Sequence, residues 1–165
     1  MDQDIFIHQV SVELSAALKK AAAKEAAAKK GLTLERAKGL IALGEEKAAA
    51  VGVPMVITVV DDGGNVKAQH RMDGSLLASI AISYEKAYTA VALQSTTEEA
   101  AASILPGQPL YVLSDTHPGK FCLFGGGIPI WSKSSGLCLG AVGVSGGTVE
   151  QDVAVARYMI SNKSF

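Results

Sequence analysis

The sequence predicts an α/β protein, an α/β/α sandwich of helices around a largely antiparallel sheet of roughly five strands. Three observations predict it. Apolar residues recur three and four apart in several stretches of helix length. Short apolar runs of strand length lie between them, two of them joined by the tight-turn sequence Asp62-Gly63-Gly64-Asn65. Capping signals stand where the helical stretches begin.

In order along the chain, Ile7, Val10, Leu14, Ala17, Leu18 and Ala21 share one helix face, which fades into AAAKEAAAKK. Alanine, glutamate and lysine favour helix but offer little area to bury, so this stretch reads as a semi-rigid spacer. Residues 1–30 are therefore either a solvent-exposed helix and linker, or an amphipathic docking peptide on a stalk. Residues 31–165 form the domain proper. A helix follows Thr33 as N-cap, with Leu34, Ala37, Ile41, Gly44, Ala48 and Val51 inward and Gly52 just past its end. Met55 to Val60 and Val66 to Met72 make a hairpin. Leu76, Ile80, Tyr84, Ala87 and Val91 mark a long helix, with Ser75 as its cap. Ser95 to Glu98 reads as a capping box for a short helix ending near Pro106. Phe121 to Phe124, Ile128 to Trp131 and Leu137 to Val144 read as three further strands. Thr148 to Gln151 opens a last helix with Val149, Val153, Ala156 and Ile160 inward.

Composition narrows the function. The 165 residues are 48% hydrophobic and carry 15 basic against 16 acidic side chains, a net charge of −1 that gives no electrostatic footprint for nucleic acid or anionic lipid. No apolar run reaches the ~20 residues that span a bilayer, and the acidic opening MDQDIFIHQV does not read as a secretory signal. A cytoplasmic protein is expected. Cys122 and Cys138 lack metal-ligand spacing and read as core thiols. Neither GxGxxG after a strand nor GxxxxGK[ST] occurs, which argues against dinucleotide and P-loop binding.

Two glycine clusters, Gly125-Gly126-Gly127 and Ser145-Gly146-Gly147, follow apolar strands, and the second runs into a helix start. They read either as sharp corners or as an anion site built from converging N–H groups and a helix dipole. Arg71, beside Asp73, suits a bidentate carboxylate clamp, or else a surface ion pair. Lys86, mid-helix, either reaches a pocket or, as is usual for a lysine on a helix, is solvated, and the second reading is the expected one. His117, in the loop SDTHPGK, is either plain surface or an axial ligand for haem iron. The candidate site therefore comprises Arg71, Asp73, His117, Gly125, Gly126, Gly127, Gly146 and Gly147. These residues alone name no reaction.

Four ordered motifs go further: VVDDGGNVKAQHRMDG (Val59 to Gly74), SYEKAYTA (Ser83 to Ala90), FGGGIPI (Phe124 to Ile130) and GAVGVSGGTVEQD (Gly140 to Asp152). With them, residues from about Thr33 to Ile160 resemble the GlcG/HbpS family, the haem-degrading-type domain also found at the C-terminus of PduO-type proteins. The resemblance implies a five-stranded antiparallel sheet between helices, homo-oligomers from dimer to octamer, and haem or tetrapyrrole binding with slow haem degradation. It equally allows a non-enzymatic accessory module of a diol- or glycolate-utilising system that binds a small carboxylate or aldehyde. The adenosyltransferase domain of PduO is absent, so that activity is not implied. Residues 5–18 resemble the short helices that target cargo to bacterial microcompartments, which makes a shell or enzyme protein a candidate partner through residues 1–20; a second copy of the chain is the other.

Overall fold

The computed structural model describes residues 9–19 and 31–162. The expected contributions of Ile7 and Ala21, and the spacer at 21–30, lie outside these. The chain divides into two units, residues 1–31 and 32–165. In the first, residues 9–19 form a helix, α1, whose Val10, Val12, Leu14 and Leu18 are all exposed.

The second unit begins with α2 (Leu34–Ala50), started by Thr33, whose Oγ1 accepts from the Arg36 N–H. Its buried stripe is Ala37, Leu40, Ile41, Gly44 and Ala48. Leu34, expected inward, is half exposed in the first turn of the helix. Strands β1 (Val56–Asp61) and β2 (Val66–Arg71) follow as an antiparallel hairpin. Its turn is held by Asp61, whose Oδ1 accepts from the N–H groups of Gly63 and Asn65 and from Asn65 Nδ2. Next come α3 (Ser79–Leu93), α4 (Thr97–Ser103) and the short α5 (Leu113–Thr116). Strands β3 (Gly127–Trp131) and β4 (Cys138–Ser145) and helix α6 (Val149–Ser161) complete the unit.

The described residues form four strands rather than five, in the order β2-β1-β4-β3, every pairing antiparallel. Phe121 to Phe124 is apolar enough for a strand but has no ladder to join. Its Cys122 N–H donates to Thr89 Oγ1 on α3 at 2.9 Å, so the segment is tied to a helix. Other local expectations shift for equally local reasons. Helix α3 starts at Ser79 after a turn through Leu76 and Leu77, both exposed, and Ser75 does not cap it. The capping box of α4 is Thr96 with Glu99, one residue beyond the Ser95–Glu98 pair, since Thr97 is buried beneath. The Thr148–Gln151 box forms as expected, although Val149 at its first turn is exposed.

Both faces of the sheet are covered. Helices α2 and α6 lie on one, over Ile57, Val59, Val142 and Val144; α3 lies on the other, over Val60 and Ala141. The two-residue alternation of the strands sorts these side chains. Gly143 allows the close approach of α3: a Cβ there would run into the Ser83 carbonyl.

Candidate functional site

Ser79, Ser83, Lys86 and Ala90 follow one another around α3 at three- and four-residue steps, and all four are buried against the sheet. A helix face carrying three polar side chains must find them partners there, because an unmatched buried polar group costs about 1–3 kcal/mol. It does. Ser83 Oγ lies 2.7 Å from Thr58 Oγ1 of β1. Gln69 of β2 donates from Nε2 to Thr58 Oγ1 at 2.7 Å and to the Ile80 carbonyl at 2.9 Å. Ser145 Oγ donates to Ser79 Oγ at 3.0 Å. Among the described residues, Ser75 Oγ is the buried side-chain oxygen left without a partner.

Lys86 is the centre of this layer. Its side chain is fully buried, and Nζ donates to Asp152 Oδ2 at 2.6 Å and to the Val144 carbonyl at 2.9 Å. The ring of Phe124 lies over it, 5.0 Å from Nζ to the centroid. Asp152, one turn into α6, also accepts from the Gly147 N–H through Oδ1 at 3.0 Å. Burial pushes the Asp152 carboxyl above the usual range, against the pull of the Lys86 hydrogen bond and charge and of the Gly147 and Gly146 amides. The two glycine clusters therefore converge, and what joins them is an internal ion pair. Gly126, at φ +118°, passes so close that a Cβ would stand 2.7 Å from the Val144 oxygen and 3.0 Å from Lys86 Nζ. Thr97 Oγ1 accepts from the Gly127 N–H at 2.9 Å and pins the other side of the corner.

The expectation that Lys86 is solvated is thus overturned. Solvation is the rule for lysines on helices, but here the amine meets a carboxylate 66 residues later in the chain. That pairing is long-range, and the apolar period pointed to another face: Leu76, expected inward, is exposed and Ile80 and Tyr84 are only partly buried, whereas Ser79, Ser83, Lys86 and Ala90 face the sheet.

The other candidates lie apart from this pair. Arg71 ends the edge strand β2; its Nη2 donates to the Ser75 carbonyl at 3.2 Å, and Asp73 is exposed in the following turn. Arg71 is level with Val56 and Ser145, whereas Gly127 is level with Gly143, Thr58 and Gln69. Since β2 and β3 are opposite edges of the sheet, Arg71 stands roughly 14 Å or more from the Gly125–Gly127 corner.

His117 follows α5 on an exposed connection. Its Nδ1 lies 3.3 Å from Thr116 Oγ1, and its ring meets Phe121 edge-on at 6.0 Å. Phe121 in turn leans on Tyr88, over which Lys120 is placed at 5.4 Å. The preceding residues 104–113, ILPGQPLYVL, contain no charge, and Leu105, Leu110, Tyr111 and Val112 are all exposed. An accessible imidazole, a charge-free apolar stretch and a nearby cation are the chemistry that a haem iron, a porphyrin face and a propionate require. Among the described residues, no cluster of His, Cys, Asp and Glu suits a metal ion, and no helix is long and apolar enough to cross a membrane.

Comparison with known proteins gives this geometry a family. The model of the haem degrading protein HbpS-like family matches residues 32–161. The 15.0 kDa protein of the dhaT–dhaS intergenic region of Citrobacter freundii is 45% identical over 126 residues, covering 76% of this chain and 87% of its own. The corrinoid adenosyltransferase PduO of the same organism is 36% identical over 159 residues; the match takes in 96% of this chain but only 46% of PduO, so the chain spans about half that relative's length. Because it covers more than residues 32–161, this match also includes most of the N-terminal segment. Among solved structures, the PduOC:heme complex has a TM-score of 0.72 and 37% identity, covering 75% of this chain and 88% of that one. The chain belongs to the HbpS-like family.

Proposed function

We propose that this protein binds haem, or a closely related tetrapyrrole, on its exposed 104–124 segment. The observation that carries the reading is the similarity to PduOC, a protein whose crystal structure is a complex with haem. The residues of this chain suit the ligand: exposed His117 would hold the iron, Lys120 would offer a positive charge to a propionate, and Leu110, Tyr111, Val112 and Phe124 would offer apolar cover. When bound, the iron would supply redox chemistry, including the haem degradation after which the family is described. The chain's own part is to ligate, orient and shield. Few groups here are disposed for proton transfer, so binding is the primary role and turnover the secondary one. The exposed apolar residues of the same face also support assembly into homo-oligomers.

Titrating the protein with haemin tests this reading. A saturable Soret shift at one haem per chain, lost or altered in His117→Ala, is the expected result. Unsaturable, non-specific absorbance identical in both proteins would overturn it.

A second reading has one observation in its favour. Arg71 is an exposed guanidinium at a strand end, engaged by a single backbone carbonyl, and this suits a small carboxylate. In that case the protein is an accessory module of a diol- or glycolate-utilising system, carried as microcompartment cargo. Thermal-shift screening of glycolate, lactate and short aldehydes distinguishes it, because a ligand bound only by the native state raises Tm.

A further inference from the structure

Helices α2, α4 and α6 each open on a threonine whose hydroxyl accepts a backbone N–H, with an acidic side chain in the first turn. Helix α3 opens with neither. The Ser79 and Ile80 N–H groups donate to the Leu76 and Leu77 carbonyls, so a turn prolongs the helix backwards. The donors that a helix start leaves over therefore fall to Leu76, Leu77 and Ala78. Two further groups meet this turn. Arg71 reaches it from the end of β2, where its Nη2 donates to the Ser75 carbonyl at 3.2 Å. Ser75 is only 4% exposed, and its Oγ is buried without a partner. Beside them Leu76 and Leu77 are 63% and 74% exposed. A cation, an orphan hydroxyl and backbone donors thus adjoin an open apolar step.

We propose that the start of α3 is a binding site for a short alkyl carboxylate. Arg71 turns its planar fork from the Ser75 carbonyl to the carboxylate, which it fits in geometry. The helix dipole and the N–H groups of the 76–78 turn favour the same charge, and the Ser75 hydroxyl gains the acceptor it lacks. The alkyl tail rests on Leu76 and Leu77. One guanidinium, two residues from Asp73, suits a single negative charge rather than the two of a phosphate. The proposal rests on the carboxylate reading of Arg71 and narrows it to ligands with an apolar tail; it requires neither haem nor His117.

Titration calorimetry of the full chain with sodium butyrate, sodium glycolate and sodium phosphate, at equal ionic strength, tests it. Butyrate should bind more tightly than glycolate, and phosphate more weakly than either. Arg71→Met should weaken butyrate about tenfold or more, as loss of a charge-assisted hydrogen bond does. Leu77→Asp, at an exposed position, should abolish binding by placing a negative charge at the helix start, while circular dichroism shows the fold intact. Ser75→Ala should weaken butyrate yet leave the free protein at least as stable in urea, because the hydroxyl it removes has no partner there. A serine with a purely structural role would change stability and leave affinity alone. Butyrate binding lost in Arg71→Met but untouched by Leu77→Asp and Ser75→Ala would overturn the α3 site and leave the carboxylate reading standing. Glycolate or phosphate bound more tightly than butyrate would overturn the apolar-tailed ligand. No binding of either carboxylate would overturn the site and the carboxylate reading together.

Discussion

The two faces of one sheet are packed by opposite chemistry. Beneath α2 and α6, Leu40, Ile41, Ile57, Val59, Val142, Val144 and Met159 form a continuous apolar layer. Beneath α3 the layer is small and polar: Thr58, Ser79, Ser83, Ser145 and the Lys86–Asp152 pair, with Val60, Ala87, Ala90 and Ala141 between them. Apolar area drives folding in proportion to its extent and is indifferent to direction. A buried hydrogen-bonded layer contributes little net stability, but only one arrangement satisfies it. The first face therefore holds the domain together. The second fixes where α3, the glycine corner and the start of α6 stand relative to one another.

The sharpest way to break that comparison is to remove one partner of the ion pair. Lys86→Met leaves Asp152 buried and uncompensated and should cost about 3–5 kcal/mol in urea unfolding, whereas Lys86→Met with Asp152→Leu should recover most of the loss. A double variant as unstable as the single one would make the pair a source of stability rather than of order. On the opposite face, Leu40→Ala should cost about 2–5 kcal/mol, and no polar partner change should rescue it, because its cost is lost transfer and a cavity. Thr58→Val is smaller. It leaves Ser83 Oγ and Gln69 Nε2 each short of a partner and should cost about 1–3 kcal/mol, with Ser83→Ala added on top restoring part of it.

The smallest effect lies outside both layers, at the β1–β2 turn. Burial raises the Asp61 carboxyl, but the hydrogen bonds from Asn65 and Gly63 and the charge of Lys67 together outweigh it and hold the group below its ordinary value of 3.8. A carboxylate whose folded pKa is depressed stabilises the fold above its unfolded pKa and loses that contribution as pH falls through the folded one. Stability should therefore decline slightly below about pH 4, by well under ~1 kcal/mol given solvent screening, and Asp61→Asn should remove that part of the acid dependence.

The same division explains what was legible in the sequence. The apolar face was readable from spacing alone: Ala37, Ile41, Gly44 and Ala48 on α2, and Val153 and Ala156 on α6, repeat with the helical period and are buried. Caps at Thr33 and Thr148 and the Asp61–Asn65 turn are local chemistry and were readable too. Phe121 to Phe124 misled because apolar content does not reveal whether a neighbouring strand exists. The polar face was only half readable. The glycine clusters drew attention as a possible anion site, but they converge on a carboxylate and an amine of the chain itself, brought together by tertiary structure. No local pattern links Lys86 to Asp152. The apolar period placed neither on its inward stripe, which for α3 ran through Leu76, Ile80 and Tyr84 and for α6 through Val149, Val153 and Ile160.

The central functional claim is that ligand chemistry belongs to the exposed segment around His117, and that the buried Lys86–Asp152 layer serves the architecture. A haemin titration of His117→Ala beside the unaltered chain, followed at the Soret band, tests it most directly. The predicted result is a saturable shift in the unaltered protein and its loss or conversion to a weaker, differently ligated spectrum in the variant, with urea stability unchanged. An identical saturable spectrum in both proteins would contradict the claim and place the haem ligand elsewhere.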